Sequence, residues 1–86
     1  MPIYFSAHTT ACLTKQAARE LMKALLEDKT VKVRRSVASQ LGGRMLVESE
    51  APDQKTLETF FADRNITCEW IMRIDLDARD GEVKEL

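Results

Sequence analysis

Apolar and polar residues alternate in four short stretches of the chain, and two stretches with helical spacing of apolar residues lie between them. Alternation with a period of two is typical of β-strands, whereas apolar residues three and four positions apart are typical of amphipathic helices. The predicted order is therefore strand, helix, strand, strand, helix, strand. The strands are predicted at 2–9, from 31 onward, at 44–50 and at 67–77, and the helices at 14–28 and from 52 onward.

Capping and turn residues indicate where these elements begin and end. Thr14 is typical of a helix N-cap, and Asp53 can accept the free backbone N–H groups at the start of the second helix. The paired glycines Gly42 and Gly43 tolerate the positive φ that tight hairpins require. Arg35 interrupts the apolar positions of the second strand, which indicates an edge strand or a bulge.

This order of elements predicts the α+β class and a ferredoxin-like βαββαβ fold, in which a four-stranded antiparallel sheet carries both helices on one face. The first and third strands are expected in the centre of the sheet. Residues 1–77 are predicted to form one domain, and residues 78–86 a polar C-terminal tail. Because a chain of 86 residues has a small core, a partner subunit would add stability.

Alternation along the strands assigns each side chain to one of the two faces of the sheet. The face toward the helices is predicted to carry Ile3, Phe5, Val31, Val33, Val47, Trp70, Met72 and Ile74. The opposite, open face is predicted to carry Tyr4, Ser6, His8, Lys32, Arg34, Leu46, Glu48, Glu69, Ile71, Arg73 and Asp75. This open face is too apolar for a bare surface and too charged for an ordinary core, so we predict a homodimer that packs two such faces together. The alternative is a monomer with a solvated face, which antiparallel sheets permit.

Composition narrows the range of partners. The 13 Lys and Arg nearly balance the 14 Asp and Glu, and the net charge of -1 gives no general attraction to nucleic acid or to an anionic membrane. No apolar run approaches the roughly 18 residues that cross a bilayer. The chain has two cysteines and no leader-like segment, which predicts that the protein is located in the reducing cytoplasm. The chain also has no CxxC pair, no aromatic RNA-binding motif and no glycine-rich phosphate loop.

A few polar residues of the predicted open face are candidates for a site. His8 is the single histidine, and we consider it as a general base or a metal ligand, the alternative being a structural hydrogen bond at an interface. Arg34 and Arg73 flank Glu48 on the predicted sheet and would bind a small anion, the alternative being an electrostatic latch between subunits. Tyr4 completes the predicted ligand-binding set.

The whole chain resembles the dimeric α+β barrel proteins, a ferredoxin-like superfamily. Its early strand 4–9 ends near a histidine, Leu13 and Thr14 open the first helix, and the run 50–53 opens the second. In these features the chain is similar to a small bacterial family that includes nickel-binding members. The superfamily includes muconolactone isomerase-like and antibiotic-biosynthesis monooxygenase-like enzymes. The resemblance implies subunits paired sheet to sheet around a small pocket, with His8 at the position of a metal ligand and the other ligands supplied across a dimer.

These features predict a homodimer with a pocket that binds a small acidic or aromatic ligand. If the protein is an enzyme, we expect a cofactor-free isomerase or monooxygenase. In it an arginine holds the ligand carboxylate and His8 moves a proton. The alternative is a non-catalytic interaction module, or a metal-binding module that takes nickel or zinc. No cofactor is otherwise expected, and neither nucleic acid nor membrane is an expected partner.

Overall fold

Four of the strands form one antiparallel sheet and two helices accompany it, which confirms the predicted α+β class. The computed structural model describes residues 1–86. The elements are β1 (Ile3–Thr9), α1 (Lys15–Glu27), β2 (Lys32–Ser39), β3 (Arg44–Glu50), α2 (Gln54–Asp63), β4 (Cys68–Arg73), β5 (Leu76–Arg79) and β6 (Glu82–Glu85). The order in the sheet is β2-β3-β1-β4, with β1 and β3 inside and β2 and β4 at the edges. The fold is compatible with a ferredoxin-like architecture.

Both helices begin at the predicted capping residues. The Thr14 hydroxyl accepts the Ala17 backbone N–H at 3.0 Å, and the Asp53 carboxylate accepts the Thr56 N–H at 2.8 Å. These contacts satisfy backbone donors that have no partner within the helix. Neither helix is long and apolar enough to span a membrane.

Of the two glycines predicted for the β2–β3 turn, Gly43 alone has a positive φ. Gly43 has a φ of 64°, and its carbonyl accepts the Thr10 N–H at 2.8 Å. A Cβ atom at Gly43 would lie 3.1 Å from the Cβ of Ala11. Glycine is therefore required here both by the backbone conformation and by the close approach of the loop after β1.

The core lies between the sheet and the helices. Its ten buried side chains come from both layers: Tyr4, Leu25, Val31, Val33, Met45, Val47, Ala51, Leu57, Phe60 and Phe61. Three of them, Val31, Val33 and Val47, were predicted on the face toward the helices, and this prediction is confirmed.

The face predicted for β1 is wrong. Tyr4, Ser6 and His8 are buried beneath the helices, whereas Ile3 and Phe5 face the other way and are half-buried. Nearly every residue of β1 is apolar or weakly polar, so its alternation does not distinguish the two sides. If the face is assigned one residue out of step, every side chain of the strand is placed on the wrong side of the sheet.

The face predicted for β4 is also wrong in its centre. Trp70 and Met72 are 41% and 52% exposed, and Ile71 packs against the core instead. Ala7 pairs with Trp70, but the next residue, His8, pairs with Cys68. Glu69 is therefore an extra residue in β4, and the register of the strand pair shifts at this point. This bulge allows Cys68 to pack against the core although Trp70 lies on the open face.

Strand β2 contains a second bulge, as the interruption at Arg35 predicts. Val33 pairs with Ser49 and Arg35 with Glu48, so Arg34 is the residue without a partner in the ladder. Because β2 is an edge strand, the bulge also interrupts an edge that another chain could extend.

The C-terminal residues form a separate two-stranded sheet that the sequence analysis does not predict. Strand β4 ends at Arg73, and β5 and β6 pair around a turn in which Asp80 and Gly81 have φ values of 54° and 77°. An Asp-Gly pair with both residues at positive φ is a strong hairpin signal. The Ile74 N–H donates to the Ile3 carbonyl at 2.9 Å, which ties the base of this hairpin to β1.

Candidate functional site

The open face is the side of the four-stranded sheet that the helices leave uncovered. Residues directly opposite each other in antiparallel strands point to the same side, and Phe5 lies opposite both Glu48 and Met72. Ala7 in the same way lies opposite Leu46 and Trp70. The open face carries the apolar residues Ile3, Phe5, Ala7, Val37, Leu46, Trp70 and Met72, together with the charged residues Lys32, Arg35, Arg44, Glu48 and Glu50.

Large apolar side chains on this face are exposed to solvent. Val37 is 43% exposed, Leu46 37%, Trp70 41% and Met72 52%. They come from β2, β3 and β4, and they converge on β1 through the strand pairing. Exposed apolar side chains that share one sheet face are typical of interaction surfaces.

One ion pair lies at the end of the open face. Glu48 is 9% exposed, and its carboxylate lies 3.3 Å from Nε of Arg34, which lies 3.9 Å from the carboxylate of Glu50 as well. The bulge in β2 places Arg34 here. The structure thus brings together Arg34 and Glu48, while Arg73 pairs with Asp75 at 3.8 Å near the end of β4.

A cleft of about 260 Å³ separates this end of the open face from the C-terminal hairpin. We call it the hairpin cleft. It is lined by Ile3, Phe5, Arg34, Glu48, Ile74, Asp77, Arg79, Lys84 and Leu86. Four of these residues are apolar, and three are cations that face two carboxylates. The cleft therefore combines apolar walls with charged groups that can orient a ligand.

Two of the cleft cations are held only by weak contacts. Arg79 lies 3.1 Å from Asp77, Lys84 lies 3.9 Å from Glu82, and all four side chains are part of the hairpin. The side chains of Arg79 and Lys84 are 59% and 67% exposed. Exposed ion pairs contribute little to stability, so both cations can turn toward a bound anion.

His8 lies on the other side of the sheet with no exposed surface. The Thr67 carbonyl lies 3.1 Å from Nδ1, and the Ser6 hydroxyl lies 2.8 Å from Nε2. Because a carbonyl only accepts, Nδ1 donates its proton, and Nε2 of the neutral ring accepts the Ser6 O–H. The ring also packs on Phe61, with 4.3 Å between centroids.

Burial lowers the pKa of His8 below its ordinary value. The hydrogen bond to Thr67 and the charge of Glu69 oppose this shift without reversing it. The neutral ring matches the tautomer that the hydrogen bonds require. A hydroxyl bonded to an imidazole has the arrangement of an activated nucleophile, but neither Ser6 nor His8 lines any cavity of about 120 Å³ or more.

The predicted ligand-binding residues are thus divided between two sides of the sheet. Tyr4 belongs to the core beneath the helices, and Arg34 and Glu48 line the hairpin cleft. Sequence reasoning missed Arg79 and Lys84, since it placed both in a polar tail. The Asp80–Gly81 pair was the available signal, because it predicts the hairpin that carries them.

The structure contains no group of three or more His, Cys, Asp or Glu side chains close enough to hold a metal ion. Cys12 is an exposed free thiol, and Cys68 is half-buried. Burial raises the pKa of the Cys68 thiol, which disfavours the thiolate that metal binding needs.

Comparison with known proteins returns no relatives. No family model matches the chain, and neither a curated protein nor a solved structure matches it.

Proposed function

We propose that this protein is a cytoplasmic homodimer of ferredoxin-like subunits, paired open face to open face, that binds a small carboxylic acid in the hairpin cleft. The observation that carries the proposal is the exposed apolar patch on a sheet face that ends in a charged cleft. The two free cysteines are consistent with a reducing compartment.

The surface area of the subunit supports a partner. A compact protein of 9.8 kDa is expected to expose about 5200 Å², whereas this chain exposes 6007 Å². The excess is about 800 Å², of the same order as the area that each partner buries in an interface of standard size. The radius of gyration of 13.1 Å likewise exceeds the value of about 12 Å expected for 86 residues.

The residues of the open face favour a protein interface over a solvated sheet. Tryptophan and methionine are enriched at interfaces, and buried aromatic anchors carry much of the binding energy. Trp70 and Met72 lie side by side in the ladder with β1, opposite Ala7 and Phe5. A second copy packed on this face would bury both, and a two-fold axis would repeat each contact in the other subunit.

The hairpin cleft favours a small acid with an apolar body. Ile3, Phe5, Ile74 and Leu86 supply apolar contact, while a guanidinium such as Arg79 can bind a carboxylate through two parallel hydrogen bonds. A volume of about 260 Å³ lies just below the range of drug-sized pockets. Benzoate has the size, the charge and the aromatic body that this combination suits.

A binding role has more support than an isomerase or monooxygenase role that uses His8. The enzymatic hypothesis needs His8 to reach a ligand, yet its ring is fully buried on the helix side of the sheet. If turnover of a small acid is found, replacing His8 by Ala tests that hypothesis directly, because an unchanged rate excludes His8 as the base.

Trp70 provides a direct test of the dimer, because it is the only tryptophan. We expect its emission to shift to longer wavelength when the protein is diluted from high micromolar to low nanomolar concentration, as the indole becomes exposed on dissociation. Sedimentation equilibrium should give the matching dimer mass. Leu46→Arg places a charge in the interface and should give a monomer, whereas Leu26→Arg on α1, where the natural side chain is 53% exposed, should not. A monomer at every concentration would overturn the proposed homodimer.

Ligand binding is tested separately by isothermal titration with benzoate and with benzamide, its neutral counterpart. We expect binding of benzoate only. The double variant Arg79→Gln/Lys84→Gln should bind benzoate about tenfold more weakly, since it loses two charge-assisted contacts. The matched control is Arg19→Gln/Lys23→Gln on the exposed side of α1, which should bind as the unaltered protein does. Equal binding of benzoate and benzamide, or none, would contradict the proposed ligand.

A further inference from the structure

We infer that the C-terminal hairpin is an intersubunit arm, whose outer face packs on the Trp70 and Leu46 end of the partner's open face. This inference rests on the proposed homodimer and adds to it the segment that completes the interface.

The hairpin has little to hold it in place within one subunit. Its two strands have four residues each and form a sheet of their own. Every residue of both strands is exposed except Asp77, which is half-buried. Two-stranded hairpins are marginally stable in water unless a third element covers one face. A stable hairpin here therefore needs a partner surface.

The two sides of the hairpin differ in character. Asp77 pairs with Lys84, and this side lines the hairpin cleft together with Arg79. Leu76 and Ala78 alternate with these residues and point to the other side, where Ala78 lies opposite Val83. Leu76 is 61% exposed and Val83 is 70% exposed. The outer side of the hairpin thus carries three uncovered apolar side chains, Leu76, Ala78 and Val83, beside the carboxylate of Glu85.

Within its own subunit the hairpin borders only one end of the open face. The cleft joins it to Ile3 and Phe5, in the first half of β1. The other end, formed by Val37, Leu46 and Trp70 around Ala7, stays exposed. One chain therefore presents two uncovered apolar surfaces, one on the hairpin and one on the sheet.

A second copy is the occupant that covers both surfaces at once. In a two-fold dimer, the hairpin of each subunit can contact the sheet end of the other, so every contact occurs twice. The chain exposes about 800 Å² more than a compact protein of its mass, so it has the surface for one interface of standard size. An unrelated protein would have to match both surfaces separately.

The first experiment measures the dimer dissociation constant by sedimentation equilibrium. Leu76→Ser/Val83→Ser removes the apolar side of the arm and should raise the constant about tenfold or more, since four apolar side chains leave the interface of each dimer. Leu26→Ser removes an apolar side chain on α1 that is 53% exposed and should leave the constant unchanged. Circular dichroism confirms that each variant is folded.

The second experiment locates the arm on the partner. A subunit carrying Trp70→Phe, Cys12→Ser, Cys68→Ala and a nitroxide at Glu85→Cys, opposite Leu76 on the outer side, is mixed with unlabelled protein of natural sequence. Because the labelled subunit has no tryptophan, any quenching of fluorescence comes from Trp70 across the interface. We expect strong quenching, and little from a label placed at Lys23→Cys on α1.

The outcomes separate this inference from the proposed function. A dimer whose dissociation constant is unchanged by Leu76→Ser/Val83→Ser, and whose Trp70 is not quenched from Glu85→Cys, overturns the arm and leaves the sheet-to-sheet dimer standing. A natural sequence that is monomeric at every concentration overturns both. Weakened association together with quenching supports the arm.

Discussion

At the scale of single residues, the helix side of the sheet contains polar side chains that differ in how well they are satisfied. Ser6 and His8 bond to each other at 2.8 Å, whereas the hydroxyl of Ser49 is buried without a hydrogen-bond partner. Burying a polar group costs free energy unless it is paired. Two serines of similar burial, 1% and 0% exposed, are therefore expected to have opposite effects on stability.

Replacing each serine by alanine tests this difference. Ser6→Ala leaves Nε2 of His8 buried without a donor, and should lower the free energy of unfolding by about 1–3 kcal/mol. Ser49→Ala removes an unpaired hydroxyl, and should leave the free energy unchanged or raise it by up to about 1 kcal/mol. Urea denaturation measures both values. Equal losses in the two variants would contradict the role given to the Ser6–His8 bond.

The buried His8 also predicts how stability depends on pH. Its folded pKa is lowered by burial, so the unfolded chain, with an ordinary pKa of about 6.5, binds the proton more readily. The free energy of unfolding should therefore be highest above about pH 6.5, and should fall as the pH decreases through the unfolded-state pKa. The total loss is about 1.4 kcal/mol for each unit by which the folded pKa is lowered. Hydrogen bonds from the backbone N–H groups of Thr30 and Thr56 lower the pKa values of Asp28 and Asp53 below the ordinary carboxyl value, which itself lies below about pH 5. The range from pH 7 to about 5 therefore reports His8.

Urea denaturation at several pH values in this range measures the effect. His8→Gln is the control, because it keeps a polar side chain but cannot titrate, and its stability should be nearly constant over the same range. A proton NMR titration of the single imidazole gives the folded pKa directly. A value above that of an unfolded peptide would contradict the expected direction.

At the scale of elements, one arginine joins the ends of the two helices. Arg64 follows α2 and lies 2.6 Å from the carboxylate of Asp28, which follows α1. Its Nη1 donates to the Phe60 carbonyl at 2.9 Å, and its guanidinium stacks 3.8 Å from the Phe60 ring. The Thr30 backbone N–H and then Arg64 hold the pKa of Asp28 below its usual range.

Arg64→Lys should break this connection although it keeps the charge. A lysine ammonium cannot stack on Phe60 and bond to two acceptors in one plane. We expect a melting temperature lower by about 5 °C for a domain of this size. Arg19→Lys on the exposed side of α1 should not change it. Equal melting temperatures would show that the contacts of Arg64 contribute nothing beyond its charge.

At the scale of the whole molecule, the subunit exposes more surface than its mass requires, and the excess includes an apolar sheet face and an apolar side of the hairpin. Burial of this surface in a dimer links folding to association, so the apparent stability then depends on concentration. A monomer with the same face solvated would show no such dependence. Thermal unfolding thus distinguishes the two states without a ligand.

We expect the melting temperature of the natural sequence to rise with protein concentration, because association stabilises only the folded state. Circular dichroism at concentrations above and below the dissociation constant measures the rise. Leu46→Arg, which is expected to be monomeric, should melt at one temperature throughout. A constant melting temperature for the natural sequence would contradict a dimer that forms by burying the open face.

Much of the local structure is determined by the sequence itself. Thr14 and Asp53 begin the helices by accepting backbone N–H groups a few residues away, and Gly43 permits a turn that other residues resist. Arg35 correctly indicated the bulge in β2. These features depend on a few neighbouring residues, so no knowledge of distant contacts is needed to predict them.

The face that each strand presents was decided only by tertiary structure. In β1 both sets of alternate residues are compatible with burial, and the choice of Tyr4, Ser6 and His8 depends on partners far along the chain, Phe61 and Thr67. In β4 the bulge at Glu69 changes the register partway. Since a shift of one residue exchanges the two faces, the candidate site moved from His8 to Arg34, Glu48 and the hairpin cleft.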